Sequence, residues 1–380
     1  MAGSAADAGP TRQARAVLSS GPPAPALLLT GATGFLGGEL LVRLVEQTDR
    51  DVIVLIRAED DAGATTRLAR TLATLLPPEL LTAASQRVRA VAAHLDRPGL
   101  GLRGAGALDA LAEQVDAVVH CAASVQFTLP FDEAWAINVG GTRAVLDLAA
   151  RAGALERFVH VSTAYVAGDR PGPYRESEGD VGQRPRNTYE QTKLMAEQDV
   201  LAAGLPGTSI LRPSIVVGDS KTGWTPAFNV IYWPLRAFAR GLFPVVPGTP
   251  EARVDIVPVD TVADALLTLA TGAPASSGTF HVVAGDDAPT ARRLTELAAN
   301  AFDAPLPDFV EPGTAPDIEQ RAGAFLPYFR VPGVFRTDAA SRLGFIAPPL
   351  ETYFATLLRY ADEARWGRSH RARWTTAPVA

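Results

Sequence analysis

The stretch ALLLTGATGFLGGELLVRLVEQ, residues 26–47, holds two hydrophobic periods separated by a glycine turn. ALLLT (26–30) is a short apolar run of the kind a buried strand needs. Beyond the turn, Leu36, Leu40, Leu41, Leu44 and Val45 recur at helical spacing. Between the two stand Gly31, Gly34 and Gly37. One glycine permits a tight turn, one lets backbone approach a pyrophosphate, and one lets helix and strand pack closely. The helix N-terminus adds the positive end of its dipole. Strand, glycine triplet and helix in this order predict a dinucleotide site.

Outward from this unit the same alternation repeats. DVIVLIR (51–57), RVRAVAAHL (87–95), AVVHCAA (117–123), RFVHVSTAYV (157–166) and TSILRPSIVVG (208–218) read as strands. Helical segments fall at 62–76, through WAINVGGTRAVLDLAARAG (135–153), and from NTYEQTKLMAE (187–197). Strands alternating with helices imply right-handed crossovers, and near-continuous Val, Ile and Leu implies burial on both sheet faces. The expected fold is α/β, a Rossmann-type doubly wound parallel sheet over residues 25–218. Residues 219–380 are expected to form mainly a smaller C-terminal substrate-binding lobe, with some segments returning to the sheet domain. A helix is predicted at 259–272, a strand at TFHVVAG (279–285), and helices at 290–302 and 349–365. Residues 1–24, rich in Ala, Gly, Ser and Pro, read as a disordered tail.

Composition narrows the functional classes. Of 380 residues, 47% are hydrophobic and 20% charged, as in ordinary globular proteins. A net charge of −6 argues against general nucleic-acid binding. No apolar run is long enough for an integral membrane span, and the leader lacks a signal-peptide core. Cys121 is the single cysteine, so no disulfide framework or cysteine zinc cluster can form, and a cytoplasmic location fits. The five histidines show no ligand spacing, so no metal is expected. His120 and His160 read as satisfied core groups, and Cys121 as a small buried residue.

The second strand ends in Arg57, which favours the 2′-phosphate of NADPH. Glu59 or Asp60 would instead serve the ribose of NADH. Tyr189 and Lys193 stand four apart, on one helix face. A neighbouring ammonium would lower the phenol's pKa from its ordinary value near ~10. Lysine occurs only at Lys193 and Lys221. VSTAYVAG places Ser162 and Thr163 at the carboxyl edge of the sheet, where ligands bind in open α/β folds.

With these residues in place, the chain resembles the extended short-chain dehydrogenases/reductases. More narrowly, it resembles their thioester-reductase and fatty-acyl reductase branch, including reductase domains of carboxylic acid reductases and nonribosomal peptide synthetases. The resemblance covers about residues 26–270. It rests on TGATGFLG, VIVLIRAED, LDRPGLGL, VVHCAASVQF, NVGGT, VSTAYVAG, YEQTK, LRPSIVVGDSKTG and VDIVPVD. It implies a catalytic set of Thr163, Tyr189 as proton donor, and Lys193 on the nicotinamide ribose. The cofactor surface it implies takes Gly31, Thr33, Gly34, Phe35, Leu36 and Gly37 from the loop, with Arg57, His94 and Leu95. Further along it takes Ala122, Ala123, Ser124, Asn138 and Ser162, then Pro213, Ser214 and Ile215, besides Tyr189 and Lys193. One departure is Ala93-His94-Leu95, where relatives often read Gly-Asp-Leu with the aspartate toward adenine. Either His94 takes over an adenine contact or that contact is backbone only.

The activity implied is NADPH-dependent reduction of an acyl thioester, on coenzyme A or a carrier protein, to aldehyde or alcohol. The aromatic segment around Trp224, Phe228, Tyr232 and Trp233 is expected to cover the acyl chain. The same fold could serve a ketone, aldehyde, steroid or nucleotide-sugar enzyme, or a non-catalytic sensor. The tail RYADEARWGRSHRARW (359–374) reads as a frayed terminus, with docking of an acidic carrier or of coenzyme A phosphates, or contact with a membrane surface, as the alternatives.

Overall fold

The computed structural model describes residues 25–375 apart from 229, 243, 274 and 275; the tail expected at 1–24 lies outside the described residues. The strands are β1 (Ala26–Thr30), β2 (Val52–Ile56), β3 (Val88–Ala92), β4 (Val115–His120), β5 (Arg157–Val161), β6 (Thr208–Pro213), β7 (Ile215–Val217), β8 (Val245–Pro247), β9 (Ile256–Pro258), β10 (Gly278–Val282) and β11 (Asp308–Val310). Seven of them form one parallel sheet in the order β10-β6-β5-β4-β1-β2-β3. The order reverses beside β1, so the carboxyl ends of β1 and β4 open the crevice that a doubly wound sheet offers a ligand. β1, β2 and β4 are buried along their whole length, as two-sided packing requires.

The helices that matter for the site are α1 (Phe35–Gln47), α2 (Asp61–Leu75), α3 (Pro78–Arg87), α4 (Gly141–Arg151), α5 (Thr188–Ala202), α6 (Tyr232–Phe238), α7 (Val259–Thr271), α8 (Ala291–Phe302) and α9 (Phe354–Glu363). One core joins α1, α2 and α7 to the sheet through Leu40, Leu44, Leu68 and Leu266. Another lies on the opposite face, around Leu28, Val118, Leu148 and Phe158. A third, around Tyr165, Ile231, Leu294 and Leu357, joins residues between 164 and 217 to residues between 231 and 361.

Three expected elements differ. The strand predicted at 208–218 is two strands. Pro213 has no N–H to continue the ladder, and at Ser214 the hydrogen bonding passes from Val282 O to Asp255 O. β7 thus leaves the main sheet and pairs with β9. The strand predicted at 157–166 stops at Val161, because the Thr163 hydroxyl accepts from Tyr165 N and starts a short 3₁₀ turn. The helix predicted from 135 starts at Phe131 and contains a π-turn, Ala136–Gly140, before α4. α3, unpredicted, starts on a proline where the missing N–H costs nothing.

The Arg/Trp-rich end is packed, not frayed. Arg373 Nε donates to Glu39 at 2.6 Å and Trp374 Nε1 to Ala73 O at 3.2 Å. Glu39, fully buried on α1, is shared with Arg43 at 2.7 Å, and Arg43 reaches Asp264 on α7.

A second buried pair joins α5 to β6. Arg212 makes a two-pronged contact to Glu197 at 2.9 and 2.5 Å, and both side chains are at most 4% exposed. Removing one partner of such a pair strands the other charge in the core. Glu197→Ala is therefore expected to lower unfolding free energy by about 3–5 kcal/mol, read from the urea midpoint.

Candidate active site

The glycine turn is as tight as its sequence demands. Gly31 has φ +77°, and a Cβ there would sit 2.8 Å from Ala122 N. A Cβ on Gly37 would lie 2.3 Å from Gly31 O, so only glycine lets α1 close on the turn. Gly34 caps α1 without a side-chain hydrogen bond, and no acidic residue stands in its first turn. Free helix-end amides beside a backbone cradle fit a pyrophosphate. Thr33 is exposed at this mouth, with Phe35 and Leu36 half-buried behind it.

At the end of β2, Arg57 is exposed. Asp60 is occupied in capping α2, accepting from Gly63 N at 2.8 Å, and Asp61 accepts from Ala92 N. His94 is half-buried, with Nε2 3.0 Å from Ala58 O and its backbone N bonded to Leu100 O. Leu95 packs on Gly141.

Under the crevice runs a hydrogen-bonded chain. Thr30 Oγ1 accepts from Ala122 N at 3.1 Å and meets His120 Nδ1 at 2.7 Å. His120 Nε2 meets Thr142 Oγ1 at 3.1 Å, and Thr142 donates to Asn138 O at 2.6 Å. Because the Thr142 proton is already used, His120 carries its proton on Nε2 and accepts from Thr30 at Nδ1. Burial, and then the Lys193 charge, push His120 down to about 3 and keep it neutral. Asn138 is fully engaged: Oδ1 accepts from Ser124 N at 2.7 Å, and Nδ2 donates to Ser124 O and to Thr192 Oγ1. Thr192 bonds back to the first turn of α5. The expected role of Asn138 in holding backbone, here Ser124 after Ala122 and Ala123, has this geometry.

α5 starts where NTYE signals a cap. Asn187 Oδ1 accepts from Glu190 N at 3.0 Å, and Glu190 reaches back to Arg186 N at 2.8 Å. Tyr189 and Lys193 follow on this helix. Lys193 is buried; its Nζ donates to Val161 O at 2.7 Å and lies 3.1 Å from His160 Nε2. Tyr189 interacts with Thr163, whose hydroxyl is buried between β5 and Pro213 O. Ser162 is buried too, and its Oγ has no hydrogen-bond partner among the described residues. Pro213, Ser214 and Ile215 form the buried step where β6 becomes β7.

The electrostatics differ from the expectation in one respect. Burial pushes Tyr189 up to about 12, and the Thr163 hydrogen bond only partly opposes it. The expected depression by Lys193 is not found, because the ammonium is taken by Val161 O and His160. Burial instead brings Lys193 down to about 8, with Glu197 and Cys121 opposing. His160 is not the satisfied core group expected, since its Nδ1 is buried without a partner. Burial raises the Cys121 thiol to about 12, which leaves it inert at neutral pH.

The family described as Male sterility protein matches residues 29–266, from the end of β1 into α7. The chain belongs to that family. It is an extended short-chain dehydrogenase/reductase of the thioester-reductase branch, an oxidoreductase with a nicotinamide cofactor. It is 34% identical over 282 residues to the glycine betaine reductase ATRR of Emericella nidulans, covering 71% of this chain and 22% of that protein. It is 32% identical over 279 residues to fatty acyl-CoA reductase 1 of Xenopus laevis, covering 64% of this chain and 54% of that protein. The chain thus spans about half of the second relative and less of the first. In fold it is similar to the terminal R domain of the myxalamid PKS-NRPS pathway, with a TM-score of 0.74 and 27% identity over 92% of this chain and 93% of that one.

Sequence reasoning missed the polar chain and the rings around Tyr189. Phe127 lies 5.7 Å from the Tyr189 ring and stacks on Tyr328 at 4.9 Å. A signal existed for the chain: VVH and FVH end neighbouring strands in the same register, which pairs His120 with His160. Of the four aromatics expected on an acyl chain, Trp233 lines an apolar cavity. Trp224 instead packs edge-on to Phe35, and Phe228 and Tyr232 pack against each other. Among the described residues, no helix is long and apolar enough to cross a membrane.

A lysine held below its ordinary value costs stability while protonated. The cost is constant below about pH 8 and is relieved as pH rises from about 8 toward 10.5. With only Lys193 and Lys221 in the chain, ¹³Cε-lysine NMR gives a readable spectrum. One resonance is expected to titrate with a midpoint of about 8 and to vanish in Lys193→Gln.

Proposed function

We propose that the chain is an NADPH-dependent reductase of acyl thioesters, carried on coenzyme A or on an acyl or peptidyl carrier protein. The observation that carries this reading is Tyr189 beside the buried Thr163 hydroxyl at the sheet's carboxyl edge, with Lys193 one turn along the same helix. NADPH would supply the hydride to the thioester carbonyl carbon. Thr163 and Tyr189 donate hydrogen bonds to the oxygen as it gains charge, and Tyr189 gives it a proton. Burial suits Tyr189 to this role, because a phenol near 12 is fully protonated at neutral pH. Lys193, fixed by Val161 O and His160, has a further N–H for the ribose hydroxyls. The tetrahedral adduct then breaks its C–S bond, releasing aldehyde and thiol. A second hydride and proton would give the alcohol.

Two features support the details. At the end of β2 Asp60 and Asp61 are engaged, while Glu59 and Arg57 are exposed; the exposed Arg57 guanidinium suits a 2′-phosphate. An apolar cavity of about 100 Å³ in the C-terminal lobe is lined by Trp233, Leu235, Phe238, Val245, Phe309 and Phe329. Phe329 follows Tyr328, whose ring joins Phe127 beside Tyr189, so an aromatic path runs from proton donor to cavity.

Incubation with NADPH and a panel of acyl thioesters, followed by dinucleotide absorbance and free-thiol release together, tests the reaction class, since only thioester reduction frees thiol. Tyr189→Phe is expected to lower kcat by about 10²–10⁴-fold while NADPH affinity stays within a few-fold. NADPH consumption without thiol release would refute the thioester reading. The kcat/KM ratio of NADPH to NADH is expected to exceed one and to fall at least about tenfold in Arg57→Ala.

A further inference from the structure

The arginines of the C-terminal segment do not all do the same work. Arg371 and Arg373 are bound to Glu363 and Glu39. Arg359, Arg365 and Arg368 instead join Arg236 and Arg240 around an open basin of about 910 Å³, with Asp362 as its acidic member. The basin lies between α6, the end of α8 and α9. Glu363 touches Arg359 at 3.2 Å. Among the described residues, the other four guanidiniums have no ion pair. Arg236 Nε is enclosed by protein without a hydrogen-bond partner. Its charge is disfavoured by burial and by Arg240 and Arg368. Like charges gathered this closely, in a chain of net charge −6, are suited to an anion bearing several charges.

A ring shares the basin. Trp366 is half-buried and packs on Phe302 at 6.2 Å, leaving part of the indole toward the arginines. Arg365 and Trp366 both take the left-handed backbone region, at φ +50° and +55°, which non-glycine residues adopt only when their surroundings impose it. The basin is also tied to the reaction site. Tyr232 OH accepts from Gly218 N at 2.9 Å, four residues beyond Ser214, and Arg236 lies one turn further along α6.

We infer that this basin binds the 3′-phosphorylated adenosine diphosphate end of coenzyme A, with guanidiniums on the phosphates and Trp366 against the adenine. The inference rests on the thioester-reductase reading and names coenzyme A as the thioester's carrier.

Binding of free coenzyme A to the full chain, measured by calorimetry at saturating NADP⁺, tests it apart from turnover. Saturating dinucleotide closes the glycine-loop site to the adenosine moiety. Coenzyme A is expected to bind at least about tenfold more tightly than pantetheine, which lacks the phosphates. Arg240→Gln/Arg368→Gln, both exposed, is expected to remove that advantage. Arg236→Gln, with a melting curve as folding control, is expected to do the same. Equal affinity for coenzyme A in wild type and variants overturns the proposal. So does a loss confined to a phosphopantetheinylated carrier protein, which would make the basin a carrier-docking site. Variant-sensitive coenzyme A binding without thiol release from any thioester would leave the site and remove the reaction.

Discussion

Gly31 is pressed between two backbones. Its own Cα faces the amide of Ala122 at the end of β4, and its carbonyl occupies the space a side chain at position 37 would need. This double contact sets the distance between β1, β4 and α1, and therefore the width of the crevice. It also brings Ala122 N onto Thr30, where the buried polar chain begins. From Thr30 the chain passes through His120, Thr142 and Asn138 to Thr192, on the helix that bears Tyr189 and Lys193. The glycine turn and the helix that bears Tyr189 are thus joined by consecutive hydrogen bonds inside the protein. Each member that lost its partner would leave a costly unsatisfied group behind.

The same burial shapes the site's acids and bases. A phenol pushed upward and an ammonium pushed downward both move toward their neutral forms, as desolvation requires. Proximity of tyrosine and lysine on one helix face did not by itself couple them. Each found a nearer partner: a hydroxyl for the phenol, a carbonyl and an imidazole for the amine. The resting site is therefore set for hydrogen-bond donation by a neutral phenol.

Much of this was legible in the sequence because it depends on local pattern. The strands of the main sheet, the glycine turn and the helix from Asn187 are each set by residues within a few positions of one another. β10 was readable as a strand, yet its place beside β6 was not, because that pairing joins segments about 70 residues apart. The split of strand six was written in Pro213, but only the competing carbonyl of Asp255 turns a missing N–H into a change of sheet. The arginine-rich end misled for the same reason. Its pattern looks solvated until Glu39, over three hundred residues earlier, is found buried and waiting on the other side. His160 shows the converse case, a strand-end histidine that looked ordinary and holds the catalytic lysine candidate's Nζ.

The contact between Arg373 and Glu39 also sets a schedule. The two residues are separated by 334 positions. At a synthesis rate of about 5–20 residues per second, a nascent chain carries Glu39 for roughly 20–70 seconds before its second arginine exists. During that interval α1 can form and Arg43 can hold one carboxylate oxygen, but the other must remain hydrated. The helix that frames the glycine turn is thus sealed only when Arg373 arrives. Closure of the dinucleotide crevice in this sense waits on a guanidinium 334 positions further along the chain.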